Sequence, residues 1–136
     1  NFQILKKIKK IILKEKQDDY FYYTPEKNKF YAELNDAIKT QDTLYQWRRH
    51  YVRENKSNLC PTLTANMGTG GYNVPLLRDK FGIRKLTPIE CFKFQGFENI
   101  ILPDIAISKL YMQAGNSVTI PLIKRIAEQI IKVLDD

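Results

Sequence analysis

The feature that most constrains the fold is a nearly complete set of helix-start signals at residues 86–91 of this 136-residue chain. It combines a capping residue, a proline at the first helical position, an acid three residues after the cap, and apolar residues on both sides. Gly96 favours the left-handed backbone that ends a helix. The pattern predicts a helix over residues 88–95. The residues that carry these signals are Leu86, Thr87, Pro88, Glu90 and Cys91.

Apolar residues at helical spacing predict four further helices. Residues 1–16 interleave isoleucine and leucine with six lysines, which predicts a basic amphipathic helix. Short helices are expected over residues 29–39 and 108–113, the second closed by Gly115. Residues 119–134 place their apolar side chains on one face, and that face requires a partner surface.

Residues 45–56 (YQWRRHYVRENK) alternate aromatic and basic side chains, which predicts an extended strand over residues 45–54. A second strand is expected over residues 60–65, with residues 55–58 as the turn of a hairpin. Residues 66–75 (NMGTGGYNVP) form a glycine-rich loop that fits neither a P-loop nor a dinucleotide fingerprint. We expect this loop to let the backbone approach a large ligand closely.

The formal net charge of +7 is unevenly distributed along the chain. Residues 1–16 contain six lysines and one acidic residue, Glu15. Residues 45–85 contain eight lysines and arginines and two acidic residues, Glu54 and Asp79. Local positive fields of this kind favour a polyanion, most simply a nucleic acid. The longest aliphatic run covers only residues 11–13, which excludes a transmembrane span.

Two cysteines, Cys60 and Cys91, are too few for a disulfide scaffold. They indicate a reducing, cytoplasmic setting and two structural thiols. His50 is the single histidine, and no close cysteine pair accompanies it, so the sequence predicts no metal site.

Three blocks, in order, resemble the C-terminal portion of bacterial DNA cytosine-5 methyltransferases. Residues 60–71 (CPTLTANMGTGG) resemble a target-recognition segment, including its Thr-Leu pair. Residues 84–97 (RKLTPIECFKFQGF) resemble the family's ninth motif, which organises the target-recognition domain. Residues 111–118 (YMQAGNSV) resemble the tenth motif, whose turn and following helix return to the catalytic domain beside the cofactor pocket. The resemblance spans about residues 45–131.

The resemblance implies an α+β fold, in which a small β-rich target-recognition domain with a glycine-rich loop precedes helices that return to a Rossmann-like methyltransferase domain. The implied parts are a recognition region over residues 1–83, a ninth-motif helix over residues 84–97, and a tenth-motif turn with a C-terminal helix over residues 98–136. The family's cofactor-loop, Pro-Cys and Glu-Asn-Val motifs do not occur in this sequence. We therefore expect the chain alone to be inactive, as an excised piece or as the smaller subunit of a split enzyme.

The complete enzyme that the resemblance implies transfers a methyl group from S-adenosylmethionine to C5 of a flipped cytosine in a specific duplex site, within a restriction-modification system. Its partners are double-stranded DNA and an N-terminal catalytic domain or subunit, with no membrane. Two alternatives remain: a free-standing, sequence-preferring DNA-binding module, and an RNA methyltransferase of related fold.

Arginine forks can read guanine edges, and polar side chains near a glycine-rich loop can reach bases. Because neighbouring strand residues point to opposite faces, Arg48 and Arg49 are not both expected to read bases. Lys56 is a candidate for a phosphate contact, and the resemblance adds Thr62 for the DNA backbone and Asn116 and Ser117 for the cofactor side. The candidates for base readout are Arg48, Arg49, Arg53, Thr64, Asn66, Thr69, Tyr72 and Asn73.

Overall fold

A computed structural model describes residues 8–56 and 59–136 and confirms the α+β fold class. No helix within these ranges is long and apolar enough to cross a membrane. The elements are α1 (Ile8–Ile11), a 3-10 helix (Asp19–Phe21), α2 (Tyr31–Ala37), β1 (Leu44–Arg48), β2 (Tyr51–Asn55), a second 3-10 helix (Ala65–Thr69), β3 (Leu76–Asp79), β4 (Gly82–Lys85), α3 (Pro88–Phe94), α4 (Ile107–Asn116) and α5 (Ile120–Asp135).

The four strands form one antiparallel sheet in the order β2-β1-β3-β4, and both of its faces bury apolar side chains. On one face, Leu44 and Leu77 pack with residues of α3 and α4. On the other face, Tyr45, Leu76 and Ile83 pack against α2 and the residue that follows it. Alternation along the strands therefore divides the interior into two cores.

The basic aromatic hairpin exists, but its second strand is β2 rather than the predicted strand over residues 60–65. The chain reverses at residues 49–50, so that Trp47 lies directly opposite Val52 on the face of the second core. Residues 60–64 have no regular secondary structure. Residues 57 and 58 of the predicted turn lie outside the described residues. The early reversal is favoured because it buries apolar side chains from both short strands on one face.

The predicted helix over residues 1–16 is confirmed only at Ile8–Ile11, because residues 1–7 lie outside the described residues and residues 12–16 are not helical. The backbone N–H of Leu13 donates to Glu90 Oε1 at 2.8 Å, and the Leu13 carbonyl accepts from Arg84 Nη2 at 3.4 Å. These tertiary hydrogen bonds use backbone groups that would otherwise continue the helix.

Helix α3 confirms the predicted helix over residues 88–95 and its capping box. Thr87 Oγ1 accepts from the Glu90 N–H at 3.4 Å, and Glu90 Oε2 accepts from the Thr87 N–H at 2.7 Å. Gly96 ends the helix with φ of +95°. A Cβ at Gly96 would lie 2.5 Å from Pro121 Cδ, so the glycine also admits the start of α5.

The other predicted helices are present, and one is longer than expected. Helices α2 and α5 confirm the predictions over residues 29–39 and 119–134. Helix α4 runs through Gly115 to Asn116 instead of being closed by that glycine. A Cβ at Gly115 would meet the backbone of Thr64 and Ala65. Gly115 is therefore needed for close packing on the second 3-10 helix rather than for helix termination.

A buried ion pair joins β4 to α3. Arg84 and Glu90 are fully buried, and the guanidinium binds both carboxylate oxygens, with Nη1–Oε2 at 2.9 Å and Nη2–Oε1 at 2.8 Å. Arg84 Nε donates to Asp79 Oδ2 at 2.8 Å, and further hydrogen bonds reach the carbonyls of Lys85 and Leu13. Burial lowers the pKa of Arg84, but the two carboxylates outweigh burial and raise it on balance. The charge is thus fully paired, as burial requires.

We expect Glu90→Gln to lower the free energy of unfolding by about 3–5 kcal/mol, because Arg84 would keep a buried charge without its main partner. Urea unfolding followed by circular dichroism measures the change. Asp42→Asn is the matched control: Asp42 pairs with Lys9 at the same 2.8 Å, but the two side chains are 65% and 69% exposed. That control should cost less than about 1 kcal/mol. Equal effects of the two substitutions would contradict the structural role of Glu90.

Candidate functional site

A groove of about 560 Å³, here called the polar groove, lies beside the β1–β2 hairpin. Its walls are the hairpin face that carries Arg48, the segment 59–64, and the glycine-rich loop over residues 66–73. The fold therefore brings together candidates from two separate stretches of sequence. The predicted site residues that line it are Arg48, Arg53, Thr62, Thr64, Asn66, Tyr72 and Asn73.

The charge that lines the polar groove is positive. Arg48 and Arg53 are its charged lining residues, and no carboxylate among the described residues lines it. The nearby acid Glu54 pairs with Tyr45 and so lies on the opposite face of the hairpin. Both arginines are exposed, so the groove presents accessible cationic side chains to an anionic ligand.

The glycine-rich loop is held in shape by its own side chains. Thr69 Oγ1 donates to the Asn66 carbonyl at 2.7 Å, and Asn73 Nδ2 donates to the Gly70 carbonyl at 2.7 Å. Gly70 and Gly71 have φ values of +84° and +67°, which side-chain-bearing residues rarely adopt. Because the Asn73 amide nitrogen donates within the loop, Oδ1 is the part of this side chain that remains to accept a hydrogen bond.

Aromatic rings connect the loop to the hairpin. The Tyr72 ring lies 5.6 Å from that of Tyr23 and 5.3 Å from that of Trp47, and Phe30 lies 5.6 Å from Trp47. Trp47 and Tyr72 also line the polar groove. Trp47 therefore packs against the second core and also forms an edge of the groove.

Three of the candidates for DNA contact lie outside the polar groove. Arg49 occupies the hairpin turn with φ of +29°, so the expectation that it alternates with Arg48 along one strand is wrong. Lys56 is exposed directly after β2. Thr69 braces the loop through Asn66 rather than lining the groove.

Asn116 and Ser117 lie at the end of α4, away from the polar groove. Ser117 lines a second groove, of about 440 Å³, whose wall of residues 59–62 is shared with the polar groove. Its hydroxyl donates to the Ala114 carbonyl at 2.7 Å. Asn116 is exposed. Thr62 is thus the predicted site residue that borders both grooves.

Gln46 and Asn55 are not among the predicted site residues, although both line the polar groove. Gln46 stands two residues before Arg48 on β1, and strand alternation alone places the two side chains on one face. The hairpin of β3 and β4 was also missed, although Gly82 follows a short polar turn. Within the described ranges, no three acidic, cysteine or histidine side chains gather as a metal site.

Comparison with known proteins identifies related sequences. The model of the C-5 cytosine-specific DNA methylase family matches residues 2–132. Type II methyltransferase M.Bsp6I of Bacillus sp. (strain RFL6) is 63% identical over 123 residues, which cover 90% of this chain and 39% of the relative. Type II methyltransferase M1.ScrFI of Lactococcus lactis subsp. cremoris is 30% identical over 117 residues, 75% of this chain and 30% of the relative. The chain therefore spans less than half the length of these relatives.

Both thiols lie in surroundings that disfavour the thiolate. Burial raises the pKa of Cys60 to about 12. Cys91 is fully buried, and burial raises its pKa well above the ordinary value, with the nearby Cys60 and Glu90 acting in the same direction. Since the thiolate is the reactive form, neither group suits a nucleophilic role at neutral pH.

We expect both thiols to react slowly with Ellman's reagent at pH 8. With a pKa of about 12, Cys60 should hold roughly a thousandfold less thiolate at that pH than an ordinary thiol, so it should react more slowly, and its rate should still rise above pH 10. Stopped-flow absorbance measures the rate, with the chain unfolded in guanidinium chloride as reference. Cys60→Ala isolates the reaction of Cys91. A rate for the folded chain equal to that of the unfolded chain would contradict the burial of the thiols.

Proposed function

The chain belongs to the C-5 cytosine-specific DNA methylase family, and we propose that it forms the DNA-recognition part of a type II cytosine-5 methyltransferase. The family is the one that residues 60–71, 84–97 and 111–118 resemble, so that prediction is confirmed. Two relatives carry the name type II methyltransferase, which supports a role in restriction-modification.

The polar groove is the observation that carries the proposed recognition role. It joins the hairpin and the glycine-rich loop in one concave surface that carries arginines and, among the described residues, no carboxylate. Such a surface can approach the DNA backbone through charge and base edges through hydrogen bonds. The asparagine and threonine side chains around the loop supply both donors and acceptors.

We assign the candidate residues to two tasks. Arg48 and Arg53 are the proposed readers, because their exposed guanidinium groups can reach guanine O6 and N7. Lys56, Thr62 and Arg49 would contact phosphates around the groove. Thr69 would act indirectly, by keeping the loop in shape. The other proposed readers are Thr64, Asn66, Tyr72 and Asn73.

The chemical step in the proposed enzyme belongs to a catalytic portion that this chain would position on DNA. S-adenosylmethionine would supply the methyl group, and the target cytosine would leave the base stack. Asn116 and Ser117 would form one wall of the cofactor site. The side chain of Asn116 makes no hydrogen bond with the described residues, and Ser117 Oγ keeps acceptor capacity, so the pair fits polar groups of a cofactor.

Helix α5 would pack on the catalytic portion. It has no buried residue, and seven of its larger apolar side chains are exposed. Contiguous apolar surface of this kind is typical of an interaction site. We therefore propose residues 98–136 as the part that returns to the catalytic domain, residues 84–97 as the organising helix, and residues 1–83 as the recognition region.

We expect Ile126→Glu combined with Ile130→Glu to prevent binding to the N-terminal portion of the Bacillus relative M.Bsp6I. These side chains are 47% and 53% exposed and would be buried only in the complex. Glu128→Lys, on the polar face of α5, is the matched control. Pull-down and thermal melting measure binding and folding. Unchanged binding by the double variant, at an unchanged melting temperature, would contradict the docking of α5.

The recognition role is tested by transplanting the chain. Joined to the N-terminal portion of M.Bsp6I in place of its own matching region, the chain should give a methyltransferase active at a defined duplex site. Methylation of a randomised duplex library, read by bisulfite sequencing, measures the preference. Arg48→Ala or Arg53→Ala should lose roughly 1–3 kcal/mol of discrimination at one base pair.

Lys56→Ala is the control for this experiment. Loss of a phosphate contact should weaken binding to all sequences alike, and it should reduce the slope of log binding constant against log salt concentration by about 1. A folded but inactive hybrid would count against the proposal. Base preference by the chain alone, together with an inactive hybrid, would favour a free-standing DNA-binding module. A uniform effect of both arginine substitutions would remove them as readers.

A further inference from the structure

Gln46 occupies a central place on the hairpin wall of the polar groove. It stands on β1 two residues before Arg48 and directly opposite Arg53 on β2. Side chains at these spacings share one face of a sheet and lie within reach of one another. Gln46 is half-buried, whereas both arginines are exposed. The glutamine therefore lies between the two proposed readers, closer to the sheet than either guanidinium.

The two arginines are held differently. Arg48 Nη2 donates to Gln46 Oε1 at 3.2 Å. Arg53 donates no side-chain hydrogen bond within the described part of the chain. A guanidinium has five N–H groups. After the bond to Gln46, Arg48 keeps four of them, which is enough for the two acceptors of a guanine.

A neutral acceptor suits this place better than a carboxylate would. An exposed arginine loses rotamer freedom when it binds, and a bond already present in the free protein reduces that loss. A glutamate could hold the guanidinium equally well, but its charge would oppose the approach of phosphates. Gln46 orients Arg48 while the groove keeps its full positive charge.

We propose that Gln46 is a positioning residue that fixes the guanidinium of Arg48 for the reading of one guanine. This inference rests on the proposed recognition function and adds a determinant of specificity to it. Gln46 acts through Arg48, so its effect is confined to the base pair that Arg48 reads. Arg53 lies in the same groove without such support and would read a different base pair.

Sequencing of duplexes selected by the 136-residue chain from a randomised library tests the proposal. Arg48→Ala should reduce the preference at one base pair by about 5- to 150-fold. Gln46→Ala should reduce the preference at the same pair by about 3- to 10-fold, the size expected for one hydrogen bond. The double variant should lose no more than Arg48→Ala alone, because the two residues act as a unit.

Two further variants separate positioning from general effects. Gln46→Glu keeps the acceptor, so it should retain the base preference while binding all duplexes more weakly and with altered salt dependence. Gln41→Ala, an exposed glutamine outside the groove, should change nothing. Thermal melting should be the same for all variants, since a structural role would lower the melting temperature instead.

The outcomes distinguish this proposal from the recognition function itself. If Arg48→Ala removes a base preference that Gln46→Ala leaves intact, recognition stands and the role of Gln46 is overturned. If Gln46→Ala weakens preferences at every position equally, or acts through a lowered melting temperature, positioning is also overturned. If the unchanged chain binds every duplex alike, Arg48 reads no base in it and the positioning role is overturned, while the hybrid enzyme decides the recognition function.

Discussion

The buried pair of Arg84 and Glu90 is the interaction on which the rest of the structure depends. It joins β4 to α3 directly, Asp79 brings in the end of β3, and Glu90 Oε1 accepts from the backbone of Leu13 in the N-terminal segment. One guanidinium faces two carboxylates, so the excess negative charge needs further donors. These come from the backbone of Thr87, Phe81 and Gly82 and from the Tyr22 hydroxyl. The full set of hydrogen bonds makes burial of these charges tolerable.

The hairpin wall and the loop wall of the polar groove can both be traced back to this pair. Along one route, β4 pairs with β3, β3 pairs with β1 through Leu76 and Tyr45, and β1 carries the hairpin wall. Along the other, α3 packs on α4, and α4 lies against the second 3-10 helix, where a Cβ at Gly68 would be 2.5 Å from the Ser108 carbonyl. That 3-10 helix forms the first part of the glycine-rich loop. The exposed arginines of the groove thus extend from a scaffold in which the buried charges are paired. Such a scaffold limits the conformational disorder that DNA binding would have to remove.

The parts of the fold that the sequence predicts are those whose causes are local. The capping box of α3 lies within four residues, and α5 follows a 3.6-residue period, so both were predictable. The hairpin was misplaced because residues 49–50 lack turn-forming glycine or asparagine, while residues 55–58 are rich in polar residues. Packing of Trp47 against the second core decided the reversal. The contacts of Arg84 with Glu90 and Leu13 leave no periodic pattern in the sequence. Gln46 was missed as a groove residue because the hairpin candidates were the charged side chains, and strand register was not considered.

The positive charge of this chain acts differently according to burial. Arg84 attracts no distant anion, because two carboxylates surround it and the local sum is negative. In the part of the chain that the structure describes, no carboxylate lines the groove beside Arg48 and Arg53, and their exposure leaves them accessible to a polyanion. At about 0.1 M salt, exposed charges are screened beyond roughly 10 Å, so attraction depends on clustering rather than on the net charge of the chain. Of the four arginines within residues 48–84 outside the hairpin turn, the two at the groove are accessible to an anion, whereas Arg84 binds carboxylates inside the fold. Residue type alone does not separate these roles; the burial of each guanidinium and the acceptors around it do.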